Sequence, residues 1–230
     1  RSWEKDVLYP FGFGLSYTTF TQELLGVTFD EQEHTAAVQV KVTNTGDVAG
    51  KEVVQVYGQS PYTDYDKEKL IEKASVQLMG FEKTAELAPG ASETVTVTLP
   101  MQWLASFDTH GYGTYIMEEG TYYLSVGENA HDAVRNILTA KGAISDGSAA
   151  LTYSWKQEQT DVTTYAHSLY TGEEIKASFA DADINYWLDE KDHITYLSRN
   201  DWEGTWPKTI ELTASDTVSY THLRAHETGA

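Results

Sequence analysis

The stretch VQVKVTNTGDVAGKEVVQVY, residues 38–57, decides the fold class. In its first part valines alternate with polar residues, the period of a strand with one buried and one solvated face. The alternation ends at residues 44–47, Asn-Thr-Gly-Asp, whose residue types favour a tight turn. Residues 52–57, EVVQVY, are apolar on both faces, which predicts a strand in the centre of a sheet.

The same alternation recurs further along the chain, in residues 94–99 and 122–126. Pro89-Gly90, ahead of the first of these, suits the two central positions of a type II turn, because Pro fixes φ and Gly accepts φ > 0. No long helical period is evident between residues 20 and 138. Alternating strands separated by turns predict an all-β fold, an antiparallel β-sandwich of two sheets.

Other segments interrupt this rhythm. Residues 60–75, SPYTDYDKEKLIEKAS, are too polar for a core strand and predict a long loop with one helical turn. Residues 141–150 are rich in Gly, Ser and Ala and predict a linker, and residues 151–155 predict a further strand. Residues 171–174, Thr-Gly-Glu-Glu, have capping-box spacing and predict a short helix. Residues 194–207 predict an ordered connector.

The charge balance excludes two classes of partner. The 230 residues contain 16 Lys and Arg against 35 Asp and Glu, a formal charge of −19. This excess of acids disfavours nucleic acid, whose binding depends on Lys and Arg at phosphates, and anionic membrane surfaces. No apolar run is long enough to cross a membrane. The absence of cysteine excludes disulfides and thiolate chemistry, and is compatible with a cytoplasmic or an exported protein.

Several catalytic and binding motifs are incomplete. Gly12 and Gly14 lack the third glycine and the preceding strand of a dinucleotide fingerprint. Ser16 is outside a GxSxG elbow. His222 and His226 have the spacing of two zinc ligands on a helix, but Leu follows the first where a zincin has Glu. We therefore predict no metal site and no cofactor.

Carboxylates and aromatic side chains remain as candidates. Glycoside hydrolysis uses two carboxyl groups, one of them kept protonated by its surroundings. Sequence spacing cannot identify such a pair, and we interpret the candidates as solvated surface charges: Asp64, Asp66, Glu68, Glu72, Glu118, Glu119, Asp181 and Asp183. Trp202 and Trp206 flank Glu203-Gly204 and are candidates for a contact role, since aromatic faces can stack on sugar rings.

The run LYPFGFGLSYTTF, residues 8–20, strongly resembles a segment of glycoside hydrolase family 3. In that family the segment closes an α/β-sandwich domain and leads into a fibronectin type III-like domain, a sandwich of the immunoglobulin-like type. Three later stretches are similar to that domain, so the resemblance covers residues 8–138: VKVTNTGDVAGKEVVQVY (40–57), LMGFEKTAELAPGASETVTVTLP (78–100) and EEGTYYLSVGENAHD (118–132).

The resemblance implies a domain organisation. Residues 1–19 are the end of the α/β-sandwich domain and residues 20–140 the fibronectin type III-like domain. Residues 141–217 are a connector toward a catalytic barrel that follows, as in a domain-permuted bacterial subgroup of the family. Residues 218–230 resemble no part of the family and are interpreted as a non-native tail. The chain is thus expected to be a piece of a longer β-glucosidase.

The resemblance assigns no catalytic residue to this chain. Asn200-Asp201-Trp202 is similar to the SDW-type motif that carries the family's nucleophile. It lacks the preceding barrel strand, so Asp201 is interpreted as a structural residue. The acid/base Glu of the family belongs to the preceding α/β-sandwich domain. The candidates for contact at the substrate rim are Tyr62, Asp64, Tyr65 and Trp202.

The function implied is non-catalytic support of the catalytic domains of a retaining β-glucosidase. Its partners are then carbohydrate, held by the catalytic domains, and the barrel and α/β-sandwich domains on which this chain packs. The alternative is a stand-alone carbohydrate-binding or structural β-sandwich module. Only that alternative predicts affinity of this chain itself for a polysaccharide, through exposed Trp or Tyr.

Overall fold

The computed structural model describes residues 6–206. The chain divides into two compact units, Arg1–Ala182 and Asp183–Ala230, and all the described strands lie in the first. These strands are β1 (Phe20–Asp30), β2 (Thr35–Asn44), β3 (Val53–Gln59), β4 (Gln77–Lys83), β5 (Ser92–Pro100), β6 (Ser106–Phe107), β7 (Tyr115–Ile116), β8 (Gly120–Val126) and β9 (Thr152–Gln157). The described α-helices are α1 (Asp64–Lys69), α2 (Ala130–Ala140) and α3 (Trp202–Thr205).

Two antiparallel sheets form the first unit. One has the strand order β1-β2-β5 and the other β4-β3-β8-β9, while β6 and β7 pair with each other. Strand β3 lies between β4 and β8, the central position that its apolar pattern predicts. The predicted all-β sandwich is confirmed.

Alternate residues of the strands form one apolar layer between the two sheets. In β2 the residues at even positions are buried and those between them are not, so the predicted inward face is confirmed. Each fully buried side chain of this size contributes about 1.5–3 kcal/mol relative to exposure. Members of this layer include Val38, Val40, Val42, Val54, Val56, Met79, Val97, Leu99, Leu104, Tyr122, Leu124 and Val126.

The buried side chain of Asn44 joins three loops at one end of the sandwich. Its Nδ2 donates to the carbonyl oxygens of Val48 and Leu87, both at 2.8 Å. Its Oδ1 accepts from the backbone N–H of Gly46 at 3.0 Å and from the hydroxyl of Thr18 at 2.9 Å. All four bonds are made to other groups of the protein, as is usual for a buried polar side chain. Asn44 therefore holds the turn after β2 against the neighbouring loops.

Two glycines have conformational or steric roles that the sequence only partly predicts. Gly90 has φ +77°, and the N–H of Ala91 donates to the carbonyl of Ala88 at 2.9 Å, which agrees with the turn predicted at Pro89-Gly90. A Cβ on Gly80 would lie 2.7 Å from Cδ2 of Leu99 in the other sheet. The absence of a side chain on β4 at this point therefore permits close packing of the sheets.

Helix α2 corrects the prediction that residues 20–138 contain no long helix. Asn129 caps it, since its side-chain oxygen accepts from the N–H of Asp132 at 3.0 Å. Ala133 and Ile137, four residues apart, are fully buried. The helix follows β8 after a gap of only three residues, and the strand alternation just before it concealed its period.

The prediction of a short helix at residues 171–174 is wrong. Gly172 has φ +71°, and the N–H of Ser168 donates to the carbonyl of Glu173 at 2.8 Å. The backbone closes into a hydrogen-bonded turn instead, because the glycine permits a conformation that a helix interior excludes.

The remaining segments agree more closely with the sequence. Residues 60–75 form a loop that contains the short helix α1, as predicted. The strand predicted at residues 151–155 is present as β9, which pairs with β8 from Gly120–Gln157 to Ser125–Thr152. The four-stranded sheet thus continues past residue 140, where the sequence placed the end of the sandwich domain.

The described part of the second unit, residues 183–206, contains short helical turns. They are the 3₁₀ turns Ile184–Trp187 and Glu190–Asp192 and helix α3. The predicted tail at residues 218–230, with His222 and His226, lies outside the described residues. No helix within residues 6–206 is long and apolar enough to span a membrane.

Candidate functional site

Three of the four predicted rim residues lie on one loop, residues 60–75, between β3 and β4; we call it the rim loop. Helix α1 begins after Thr63, whose hydroxyl accepts from the N–H of Asp66, while a carboxylate oxygen of Asp66 accepts from the N–H of Thr63 at 2.7 Å. This is a capping box, closed by Asp instead of the usual Glu or Gln. The helix ends at Leu70, a non-glycine residue with φ +56°.

A buried ion cluster, Asp66, Lys73 and Glu118, attaches the rim loop to the sandwich. Nζ of Lys73 lies 2.7 Å from Oδ1 of Asp66 and also contacts a carboxylate oxygen of Glu118. The exposed fractions of the three side chains are 0%, 7% and 4% in that order. Thr63 adds a bond from its hydroxyl to Oε1 of Glu118, at 2.8 Å. Charges that lose water are tolerated only when they are paired in this way.

The interpretation of the acidic residues as surface charges is wrong for the two of them that belong to the cluster. Asp66 and Glu118 are buried, whereas Asp64, Glu68 and Glu119 are exposed. Residues 66 and 118 are 52 positions apart, and only the packing of the rim loop on the segment before β8 brings them together. No local pattern in the sequence marks them.

The cluster contains two carboxyl groups and one ammonium group. Burial is the main cause that raises the pKa of Glu118 above its ordinary value of 4.5, and its hydrogen bond with Asp66 adds to the increase. Lys73 and Thr63 act in the opposite direction and do not cancel it. The hydroxyl of Tyr122, a core residue of β8, donates to the backbone carbonyl of Glu118 at 3.1 Å. The cluster is therefore continuous with the sandwich core.

Tyr65 forms a second attachment of the rim loop. Its hydroxyl donates to Oδ2 of the buried Asp108 at 2.6 Å, and the N–H of Tyr112 donates to the same oxygen at 2.8 Å. Burial raises the pKa of Tyr65, and its bond to the Asp108 carboxylate raises it further. Its hydroxyl is thus engaged inside the protein.

Asp64 is the predicted contact residue of the rim loop that is open to solvent. Its side chain is 98% exposed and lies 2.7 Å from Nζ of Lys67, one helical turn away. The hydrogen bond and charge of Lys67 lower the pKa of Asp64. Tyr62, two positions earlier, is half-buried. The loop therefore presents an ionised carboxylate beside a tyrosine, on a base fixed by Asp66 and Tyr65.

Trp202 belongs to the other compact unit, where it begins helix α3. Its ring centroid lies 5.0 Å from that of Trp206, with the planes tilted by 47°. Asp201 caps this helix, since its Oδ1 accepts from the N–H of Gly204 at 2.9 Å. The capping contact is a structural role for Asp201, the residue that the resemblance sets beside the family's nucleophile.

The geometry of the cluster does not suit hydrolysis. A retaining glycosidase needs two carboxyl groups about 5–5.5 Å apart on either side of a bond that substrate can reach. Asp66 and Glu118 are instead closed off from solvent and joined through one lysine. Within residues 6–206 no three His, Asp or Glu side chains are arranged to hold a metal ion. The cluster acts as a clamp on the rim loop.

Replacing Lys73 tests this clamp. We expect Lys73→Met to lower the free energy of unfolding by about 3–5 kcal/mol, because two carboxyl groups would remain buried without a counter-charge. Lys67→Met is the matched control, since its ion pair with Asp64 is exposed, and it should leave the urea midpoint unchanged. Equal effects of the two variants in urea denaturation would contradict the clamp.

The raised pKa of Glu118 makes a pH-dependent contribution to stability. Between pH 4.5 and that raised pKa the folded state binds more protons than the unfolded state, so this contribution decreases as the pH rises. Glu118→Gln should remove this part of the pH dependence. Urea denaturation at closely spaced pH values measures the difference from the unsubstituted chain. Glu119→Gln, at an exposed neighbour, should retain the wild-type profile, and a parallel profile for Glu118→Gln would refute the assignment.

Comparison with known proteins identifies the sandwich. A family model described as "Fibronectin type III-like domain" matches residues 52–130. The chain is 36% identical over 145 residues to β-glucosidase A of Butyrivibrio fibrisolvens, an alignment that covers 56% of this chain and 17% of that protein. It therefore spans under a fifth of the length of this relative.

Solved structures agree with this match. β-Glucosidase 3B of Thermotoga neapolitana, in complex with α-D-glucose, aligns with a TM-score of 0.51 and 35% identity, over 67% of this chain and 18% of that one. The GH3 β-glucosidase of Bifidobacterium adolescentis aligns with a TM-score of 0.52 and 27% identity, over 74% of this chain and 21% of that one. The resemblance to glycoside hydrolase family 3 is confirmed: residues 52–130 match a fibronectin type III-like domain, and the similar proteins and solved structures are β-glucosidases, one of them described as a GH3 enzyme.

Proposed function

We propose that this chain is the non-catalytic, fibronectin type III-like portion of a β-glucosidase-type glycoside hydrolase. It supports catalytic domains carried elsewhere in a longer protein, and these domains bind the carbohydrate. In this proposal residues 1–19 end the preceding domain and residues 20–140 form the main part of the sandwich. Residues 141–217 lead toward a catalytic barrel, as in the permuted subgroup, and residues 218–230 are not native to the family.

The observation that carries the proposal is the exposure of residues 8–17, which we call the N-terminal arm. Large apolar side chains of this arm lie outside the core, and exposed apolar side chains that are grouped in one segment are typical of a contact with another protein surface. Their exposed fractions are Leu8 83%, Tyr9 67%, Phe11 65%, Phe13 45%, Leu15 91% and Tyr17 102%.

The backbone of the arm is nevertheless attached to the sandwich. The carbonyl of Phe11 accepts from the N–H of Ala130 at 2.8 Å, and the carbonyl of Gly12 accepts from Nε2 of Gln55 at 3.0 Å. Gln55 lies on the central strand β3 and also donates to the carbonyl of Glu128. An arm fixed through its backbone, with apolar side chains exposed, is a preformed surface for a neighbouring domain.

The rim loop extends the proposal toward the substrate. Its two internal attachments, the buried ion cluster and the Tyr65–Asp108 bond, hold the exposed Asp64 and its neighbour Tyr62 on a rigid base. Loops held by a rigid scaffold commonly carry contact residues. We assign Asp64 a contact with substrate hydroxyl groups at the rim of the active site, Tyr62 and Trp202 being further candidates.

Substitutions in the arm test the supporting role. In a longer β-glucosidase that contains this chain, Leu15→Ser and Tyr17→Ser should lower the thermal midpoint and the hydrolysis of an aryl glucoside, because they remove apolar contact between domains. In the 230-residue chain alone the same changes should leave the urea midpoint unaltered, since both side chains are exposed.

The chain alone should hydrolyse no aryl glucoside, with or without Asp201→Ala as a further check. Robust turnover by the chain alone would contradict the non-catalytic role. Unchanged activity and stability of the longer enzyme after both arm substitutions would contradict the interface.

Asp64→Asn in the longer enzyme tests the rim contact. We expect it to raise KM for a disaccharide about 10-fold, the effect of losing one hydrogen bond to a charged group. Lys67→Gln is the control, because it breaks the same ion pair and retains the carboxylate, and KM should stay at the wild-type value. A similar KM for both variants, measured in steady-state kinetics, would remove Asp64 from the rim.

A further inference from the structure

Trp103 occupies an unusual place on the surface of the sandwich. It lies in the 3₁₀ helix Met101–Leu104, whose residues Met101 and Leu104 are buried while Trp103 is 50% exposed. The side-chain amide of Gln77, at the start of β4, donates to the backbone carbonyl of Trp103. The buried Met101 and Leu104 and the bond to the sheet thus fix the backbone that carries this exposed indole.

A hollow of about 440 Å³ lies beside Trp103, and aromatic residues form much of its lining. Tyr115 and Tyr170 are 39% and 87% exposed. The ring of Tyr115 packs edge-on against Phe107, with the centroids 5.2 Å apart. The turn that carries Tyr170 is closed by the bond from the N–H of Gly172 to the carbonyl of Ser168, at 2.8 Å. The aromatic lining is therefore positioned before any ligand arrives.

The hollow is uncharged in a strongly acidic protein. Charged residues make up 22% of the chain, with a net charge of −19, yet no Asp, Glu, Lys or Arg lines this hollow. Its polar groups are neutral amides and hydroxyls together with the imidazole of His167. The side chain of Gln102, one of the lining residues, makes no hydrogen bond within residues 6–206. An ionic ligand would need a counter-charge at the site. Because no Asp, Glu, Lys or Arg lines the hollow, its composition favours a neutral ligand.

We propose that this hollow, with Trp103 at its edge, is a binding site for a neutral oligosaccharide. A sugar ring has an apolar C–H face and a rim of hydroxyl groups. The face can stack on the indole, and the hydroxyls can bond to amides such as that of Gln102. A neighbouring domain is the other conceivable occupant. The exposed apolar side chains of the N-terminal arm already supply a surface for contact with such a domain, and none of them lines this hollow. The supporting role in the proposed function does not by itself predict this affinity, so the site would add a carbohydrate contact of this chain's own to that role.

The size of the region favours an oligosaccharide over a single sugar. Trp103 also lines a second hollow of about 410 Å³, which it shares with Leu70, Ile71, Glu72 and Lys73 of the rim loop. The lack of charged lining residues therefore applies to the first hollow and not to this one. A glycan that crosses Trp103 can therefore place sugar units in both hollows. We expect cellohexaose or xylohexaose to bind more tightly than glucose.

Titration of the 230-residue chain with cellohexaose, xylohexaose, glucose and the anionic hexagalacturonate tests the site. Isothermal calorimetry and tryptophan fluorescence report binding. We expect a Kd of about 1 mM or below for at least one neutral hexasaccharide, and an affinity about 10-fold lower for Trp103→Ala. Phe81→Ala is the matched control, since Phe81 is 64% exposed on β4 and lines neither hollow, and it should bind like the unsubstituted chain. Thermal unfolding checks that both variants fold.

Three results would overturn the proposal. They are no binding of either neutral hexasaccharide at about 10 mM, equal affinity of Trp103→Ala and the unsubstituted chain, and tighter binding of hexagalacturonate than of both neutral glycans. In the first case, a lower thermal midpoint of the longer enzyme on Trp103→Ala would identify the hollow as a domain interface. These outcomes are independent of the arm substitutions, so failure here leaves the supporting role intact.

Discussion

Burial of one apolar layer between two antiparallel sheets is the constraint on which the rest of the structure depends. The valines of β2 and β3 and Tyr122 of β8 belong to one buried apolar cluster, and Gly80 allows the sheets to approach closely. With alternate side chains committed to this layer, the remaining strand residues face outward. The loops are then the places where polar chemistry can be arranged.

Two sets of polar side chains that enter the interior hold loops to the sandwich. Asn44 closes one end with four hydrogen bonds, and the cluster of Asp66, Lys73 and Glu118 holds the rim loop. A buried ion pair is a poor source of net stability compared with apolar side chains of the same volume. Its value here is positional, because it fixes a six-residue helix that could not persist alone in water.

The exposed aromatic side chains divide into two kinds. Those of the N-terminal arm lie on a segment attached through its backbone, and they suit contact with a large apolar surface. Trp103 and Tyr170 instead border an uncharged hollow with amide and hydroxyl groups nearby, a composition that suits small neutral rings. The same residue types therefore support two roles, separated by what surrounds them.

Much of the fold could be predicted from the sequence, because a strand's side chains alternate with period two whatever it packs against. The central position of β3, the inward faces of β2 and β5 and the turn at Gly90 all follow from local residue types. Helix α2 and the turn at residues 171–174 were mispredicted where a local pattern was ambiguous. For helix α2, the alternation of the preceding strand obscured the helical period. At residues 171–174, Gly172 adopts a positive φ and the backbone forms a turn despite the capping-box spacing.

The sequence by itself determined the sandwich, the resemblance to glycoside hydrolase family 3 and the absence of thiolate chemistry, since these depend on period, contiguous motif and composition. Only the tertiary structure decided which acidic residues are buried, that Tyr65 bonds to Asp108, and that an uncharged hollow lies beside Trp103. These features join residues that are distant along the chain, such as Gln77 with Trp103, 26 positions apart, and Trp103 with Tyr170, 67 positions apart. Burial and pairing over such separations arise from packing, which no local pattern records.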